Sequence, residues 1–244
     1  MMNTQDAQGS VDSKATTSIV NLDQTALETG GLVDVTATTT TRAGLALNGS
    51  TNAGSPALNQ SRASLAGNIT QAIAQGNAAT NELNYLGAQY RSPGDQAKVE
   101  LGTGASRSKV QAAAALYNQQ SNTGAVKAES DGASYRIALN ASTGKLGIAD
   151  GSIAVTGNQI GVSAAGNGAV NKIALTGLNA GIPTAAIGSN QVNAGAITAT
   201  VTDARIGVGT SGLVSGASIK VGNNSISASA VGNSVSNAIS RANR

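Results

Sequence analysis

The chain has 244 residues, of which 40% are apolar, 2% aromatic and 11% charged, with a formal net charge of +3. Its four tyrosines are its only aromatic residues, and Phe, Trp, His and Cys are absent, which excludes a broad core of large flat side chains, disulfide staples and thiolate or imidazole metal sites. The apolar residues are mostly Ala, Val, Ile and Leu, set among 31 glycines and many Ser, Thr and Asn, a filling suited to thin layers rather than a wide globule.

No stretch approaches the roughly 18–20 consecutive apolar residues of a membrane helix, and no secretory n-region and h-region pattern follows Met1. The expectation is a soluble chain without a membrane span and without a visible signal peptide. In chain order, residues 1–18 read as an acidic N-terminal segment, 19–92 as a first repeat region and 93–244 as a second. Residues 1–41 carry Asp6, Asp12, Asp23, Glu28 and Asp34 against Lys14, a net charge of −4. Within 55–120 a short helical part is a competing reading beside strands, because Leu58, Leu65, Ile69, Ala72 and Ile73 have near-helical spacing and the run from Lys109 is rich in helix formers. Ser92-Pro93-Gly94-Asp95 is the clearest turn and divides the two repeat regions.

Two repeat families follow. The octet GNAATNEL at Gly76–Leu83 returns as GNGAVNKI at Gly166–Ile173 and GNSVSNAI at Gly232–Ile239, at separations of 90 and 66 residues. Another Gly-Asn pair precedes each copy, at Gly67-Asn68, Gly157-Asn158 and Gly222-Asn223. The second family is NTGAVKAE at Asn122–Glu129 against NAGAITAT at Asn193–Thr200, with Asn118-Gln119 and Asn190-Gln191 upstream and Arg136-Ile137 and Arg205-Ile206 downstream. A looser copy, TGGLVDVTA, covers Thr29–Ala37. GAITATV and SISASAV alternate with period two, so these units read as short strands separated by Gly/Asn turns. On this reading Gly permits a corner, and identical asparagines at Asn77 and Asn81, Asn167 and Asn171, and Asn233 and Asn237 stack and bond through their side-chain amides. The competing reading is that the octets are coincidences of an Ala-, Gly- and Asn-rich composition.

Chemistry-bearing motifs are few. Gly207-Val208-Gly209-Thr210-Ser211-Gly212 satisfies G-x-G-x-x-G, but no helix-like segment follows and no acidic residue exists after Asp203 to hold a ribose. Asp131-Gly132 and Asp150-Gly151 lack the clustered carboxylates of calcium loops and read as turns. No serine has a His partner, and no local pair of acids suggests a glycosidase. The Thr-x-Thr stretches at Thr36–Thr40 and Thr198–Thr202 are too irregular for an ice-binding face. No catalytic residue, metal or cofactor is assigned, and the chain is read as a non-enzyme. Nucleic acid is set aside too, for want of stacking aromatics and of a dense basic patch.

The Gly-Asn-x-Ala cores at Gly76–Ala79 and Gly166–Ala169 resemble curlin repeats, which build secreted bacterial amyloid-like fibres. The copies end in Leu83, Ile173 and Ile239 rather than the curlin Gln, and the third has Val235 in place of Ala. The texture over residues 19–240 is closer to the repetitive outer-surface proteins that bacteria use as fibrils or anchors, including holdfast-anchor proteins. This resemblance implies an extracellular structural protein of the bacterial cell surface.

Residues 204–244 carry Arg205, Lys220, Arg241 and Arg244 and no acid, a net charge of +4. These opposite ends have two readings: ordinary solvated termini, or complementary faces that favour head-to-tail contact, with Asp23, Glu28 and Asp34 at one end and Arg241 and Arg244 at the other. The expectation is therefore an all-β, β-solenoid-like chain with irregular Gly/Asn-rich repeats, forming or anchoring a surface fibre. Its partner is itself, with other fibre subunits or an acidic polysaccharide as further partners. The alternative is a carbohydrate-binding or phage-type fibre module that binds polysaccharide through one face.

Overall fold

The computed structural model describes residues 1–16, 19–25, 34–37, 43–46, 58–59, 62–87, 98–101, 108–140, 146–177, 184–211 and 213–243. Nearly all of these residues are in strands, and none is helical. The chain makes three passes. The first contains β1 (Met2–Ala7), β2 (Val11–Thr16), β3 (Ile19–Thr25), β4 (Asp34–Ala37), β5 (Ala43–Ala46), β6 (Leu58–Asn59), β7 (Arg62–Ala66) and β8 (Ile69–Gly87). The antiparallel pair β9 (Lys98–Leu101) and β10 (Ser108–Gln111) follows. The second pass contains β11 (Ala114–Asn122), β12 (Val126–Asp131), β13 (Ser134–Asn140), β14 (Leu146–Ala149), β15 (Ser152–Thr156) and β16 (Gln159–Gly177). The third contains β17 (Ala185–Asn193), β18 (Ile197–Thr202), β19 (Arg205–Ser211), β20 (Leu213–Ser215), β21 (Ser218–Gly222) and β22 (Ser225–Asn243).

Pairing joins the passes rather than neighbours in sequence. Six parallel sheets each take one strand from every pass: β1-β11-β17, β2-β12-β18, β3-β13-β19, β6-β14-β20, β7-β15-β21 and β8-β16-β22. The passes are thus a first, a middle and a last layer. Between first and middle layers the partner lies 115 positions on for β1 to β3 but 90 positions on for β6 to β8, so the first pass carries 25 extra residues between β3 and β6. That insert holds β5, which pairs with the outer edge of β3, and β4, which pairs with the outer edge of β7.

The interior is narrow, as the shortage of aromatics requires. Ala63, Leu65, Tyr135, Ile137, Leu139, Ile153 and Val155 form one apolar cluster, Ala72, Ala74, Val126, Ala128, Val162 and Ala164 a second, and Ala114, Leu116, Ile173 and Leu175 a third. The one large aromatic in the first cluster, Tyr135, is buried, and its hydroxyl bonds Thr70 Oγ1. Burial pushes its phenol up from the ordinary value, and the Thr70 bond pulls it partly back. Left-handed backbone at Gly67, Gly157 and Asn223 turns the chain into β8, β16 and β22, and Asp150, Gly132 and Asp203 turn it at other corners.

Several expectations are corrected. Residues 69–87 and 114–122 lie in β8 and β11, not in a helix. The octets sit inside the 19-residue strands β8, β16 and β22 rather than at turns. The inward face of β16 changes parity there, with Gly166 and Asn167 both buried and Gly166 left out of the pairing register, as in a bulge. The octet glycine answers a close approach: a Cβ at Gly76 would lie 2.7 Å from Gly166 O and 2.9 Å from Asn122 Oδ1. The corners belong to the upstream Gly-Asn pairs instead.

The first-layer partner of β12 is β2, not the segment at Thr29–Ala37, whose described end is β4. Gln120, not Gln119, faces Gln191, and Arg205 faces Ser134 rather than Arg136. The turn at Ser92–Asp95, and with it the boundary between the two repeat regions, lies outside the described residues. Residues 1–16, read as a separate acidic segment with their neighbours to 18, form β1 and β2 of the first layer.

Candidate functional site: amide rows and an open last layer

Between the second and third apolar clusters, the octet segments of β8, β16 and β22 face β1, β11 and β17 through polar side chains. Asn77, Asn81, Asn118, Gln120, Asn122, Asn167 and Asn171 are all buried there. Parallel, in-register pairing places Asn77, Asn167 and Asn233 over one another, and likewise Asn81, Asn171 and Asn237. Asn77 Nδ2 donates to Asn167 Oδ1 and Asn167 Nδ2 to Asn233 Oδ1, both at 2.7 Å. Asn81 donates to Asn171 and Asn171 to Asn237, both at 2.8 Å. At the corners Asn68 donates to Asn158 at 2.7 Å and Asn158 to Asn224 at 3.0 Å.

Each row has a direction, because a main-chain carbonyl can only accept. Asn77 gives its second N–H to Ser121 O of the middle layer, and Asn167 gives its own to Val192 O of the last. These bonds fix the nitrogens on the side of the following layer. A glutamine row beside them runs the other way: Gln191 Nε2 donates to Gln120 Oε1 at 2.6 Å, and Gln120 Nε2 to Gln5 Oε1 at 2.7 Å. Gln5, Gln120 and Gln191 also cross the interior to Ala78 O, Gly168 O and Ser234 O, each in its own layer.

The rows account for three of the buried atoms that lack partners. Asn122 Nδ2 donates to Asn193 Oδ1 at 2.7 Å, but the first-layer position is Ala7, so Asn122 Oδ1 receives nothing. In the neighbouring row Asn3 and Asn81 both donate to Asn118 Oδ1, at 3.1 and 3.2 Å, while the last-layer position is Ser189, and both Asn118 Nδ2 and Ser189 Oγ are left without a partner. Ser189→Asn would supply the missing Oδ1 to Asn118 Nδ2. We expect this variant to be more stable by about 1 kcal/mol, the net worth of one added hydrogen bond together with relief of a buried unpaired donor. Chemical denaturation of the two proteins measures it, and an unchanged or lowered midpoint would count against the row as a stabilising element.

The last layer is open. Among the described residues no strand pairs with the outer edges of β17 to β22. Ile219, Ile226, Val214 and Ile239 are 44%, 49%, 44% and 42% exposed, whereas the middle-layer residues beneath them, Ile153, Ile160, Ile148 and Ile173, are at most 1% exposed. The other end differs. Ala63, Leu65, Ala72 and Ala74 of the first layer are buried, and β4 and β5 occupy two of its edges.

Of the residues expected at the charged ends, Asp23 lies on β3 in the first layer and Asp34 on β4 outside it. Arg241 lies on β22, in register with buried Leu175. Glu28 and Arg244 fall outside the described residues. Among the described residues no three acidic side chains meet in a way that could hold a metal ion. Sequence reasoning missed Asn118, Gln120 and Asn122 as members of the polar interior, although Asn122 and Asn193 begin the second repeat motif. No protein-family model matches the chain, and neither a curated protein nor a solved structure matches it.

Proposed function

We propose that the chain is a non-enzymatic structural protein whose three layers are coils of a β-solenoid. It forms or anchors a bacterial extracellular surface fibre by end-to-end stacking of subunits. The observation that carries this reading is the open last layer, where a run of unpaired strand edges coincides with exposed Ile and Val that are buried one layer below. Exposed edges of this kind template further strands, and apolar positions of this kind gain from being covered. The resemblance of the octets to repeats of secreted fibre proteins points the same way, and so does the placing of acidic residues in the first layer and basic residues in the last.

The polysaccharide-binding alternative has a place to act, a groove of about 610 Å³ across the outer face of β8, β16 and β22. Its lining includes Ile73, Ala79, Ser163, Val170 and Val231 and carries no aromatic or charged side chain, which leaves a sugar ring nothing to stack on and an acidic glycan no cation. The end-on reading is therefore preferred. Light scattering of purified protein should show concentration-dependent elongation. Its rate should fall as salt rises past about 0.15 M, where the Debye length is about 8 Å, while filaments already formed persist. A chain that stays monomeric at high concentration and is retained on a polysaccharide column would reverse the choice.

A further inference from the structure

The last layer carries a pattern of donors and acceptors as well as bare edges. In the first two layers the first octet asparagine, Asn77 or Asn167, gives both amide hydrogens to the layer that follows, one to an Asn Oδ1 and one to a main-chain carbonyl. Asn233 has no layer to follow it. Its Nδ2 reaches back to Gln191 O of its own layer, at 3.3 Å rather than the 2.7–2.8 Å of its two predecessors. Asn237 Nδ2 finds no acceptor among the described residues, and Gln191 Oε1, whose row runs the other way, receives no donor. The face therefore offers donors at two asparagine positions and an acceptor at one glutamine position.

The first layer offers the converse. No described residue donates to Asn77 Oδ1 or Asn81 Oδ1, and Gln5 Nε2 makes a single described bond, to Ala78 O. If the layer sequence simply continues, Asn77 meets Asn233, Asn81 meets Asn237, Gln5 meets Gln191, and Leu83 covers Ile239. Tyr85 then lies over Arg241, the one charge at an inward position of β22, where its ring can take the guanidinium on its face. Two last layers face to face would set donor against donor and basic end against basic end. Two first layers would meet through β4 and β5. Head to tail is the arrangement in which rows, apolar positions and charge all match.

We propose that the last layer docks the first layer of a second copy of this chain, with β8 on β22, β1 on β17 and β2 on β18, and that the amide rows set the direction and register of this contact. The inference rests on the fibre reading above and adds the partner strands and the recognition code. Docking avoids β3 and β7 at the outset, since β5 and β4 already hold their outer edges. The first layer's inward face is closed in the free chain, with Ala72 and Asn81 only 1% and 3% exposed, so it opens as it docks while the last layer stands ready.

The test is the double variant Asn233→Asp with Asn237→Asp. Each Asp keeps an oxygen to accept from Asn167 or Asn171, so the internal rows survive, but the outward donor becomes an acceptor. Its first layer is untouched, so the variant should add to a wild-type end and then stop growth. Mixed at one part in ten with wild type, it should cut mean filament length to about ten copies, as random termination of an open head-to-tail chain requires. Ser234→Asp with Ser236→Asp, on the same exposed strand but at outward positions, brings the same charge and should leave length nearly unchanged. A misfolded variant would not bind ends and could not shorten filaments below the dilution effect. If wild type elongates and the row variant lengthens filaments as wild type does, or if both charge-matched variants terminate alike, the amide code is wrong and the fibre reading stands. If wild type alone does not elongate, both fail.

Discussion

Replacing Asn171 by Leu is expected to lower the unfolding free energy by about 2–4 kcal/mol, whereas the same change at Asn237 costs about 1 kcal/mol or less. Both asparagines belong to one row, and they differ in what surrounds them. Asn171 is fully buried in the middle layer, accepts from Asn81 and donates to Asn237. Leu in its place removes one bond on each side and puts a branched side chain against Asn118 and Asn81, in a stretch of interior built for flat amides. Asn81 Nδ2 keeps only its longer bond to Asn118 Oδ1, at 3.2 Å. Asn237 is exposed on the open layer, so water can replace the acceptor that Asn171 Nδ2 would lose.

For a chain of this length the larger change should appear as a fall in Tm on the order of 5–15 °C. Melting the two variants at concentrations too low for assembly separates them. Equal melting points would mean that the amide row contributes no stability beyond what solvent supplies.

The asparagine positions were legible because the octet spacings of 90 and 66 residues are also the pairing offsets of the longest sheet, β8-β16-β22. A 19-residue strand repeats enough of its inward positions for the copies to be recognised despite drift. The second motif was legible for the same reason at an offset of 71. What hid its first-layer copy was substitution together with insertion. Ala7 stands where Asn122 and Asn193 stand, Ser13 where Ala128 and Ala199 stand, and the offset of 115 matches no other spacing. The surviving signal was Gly9-x-Val11 against Gly124-x-Val126 and Gly195-x-Ile197, glycines that stack so closely that a Cβ on Gly124 or Gly195 would overlap the carbonyl of the layer before it.

The helical misreading of residues 58–73 has a local cause. Leu65 points inward from β7, a corner intervenes at Gly67-Asn68, and Ile69 and Ile73 then face outward on β8 while Ala72 faces inward. A corner between two period-two strands shifts their phase and imitates a period near 3.6. The matched Asn-Gln pairs failed by a single residue, Asn118 against Asn190. In a strand that slip exchanges an inward for an outward side chain and would have cost the glutamine row its register.

The largest kinetic effect should come from removing the insert. If residues 26–57 are replaced by the corresponding middle-layer residues 141–147, which join β13 to β14 and include its first two positions, the first pass loses its 25 extra residues and with them β4 and β5. The outer edges of β3 and β7 are then unpaired, as the edges of β19 and β21 are at the other end. A docking subunit that formerly met four free strand edges, those of β1, β2, β6 and β8, now meets six, with no pairing to break first. Parallel edges already held by β5 and β4 must otherwise be released before β19 and β21 of the preceding copy can use them, and breaking these short pairings of four residues before any gain is made raises the barrier to forming the first contact. The excised chain should therefore show a lag at least about tenfold shorter in unseeded light scattering, equivalent to about 1.4 kcal/mol off the barrier. Seeding should erase most of the difference if the insert acts on nucleation alone, and leave it in place if the insert also slows each later addition. A chain lacking the insert that folds, keeps its Asn171 row and assembles with an unchanged lag would show that β4 and β5 only finish the first layer and do not restrain assembly.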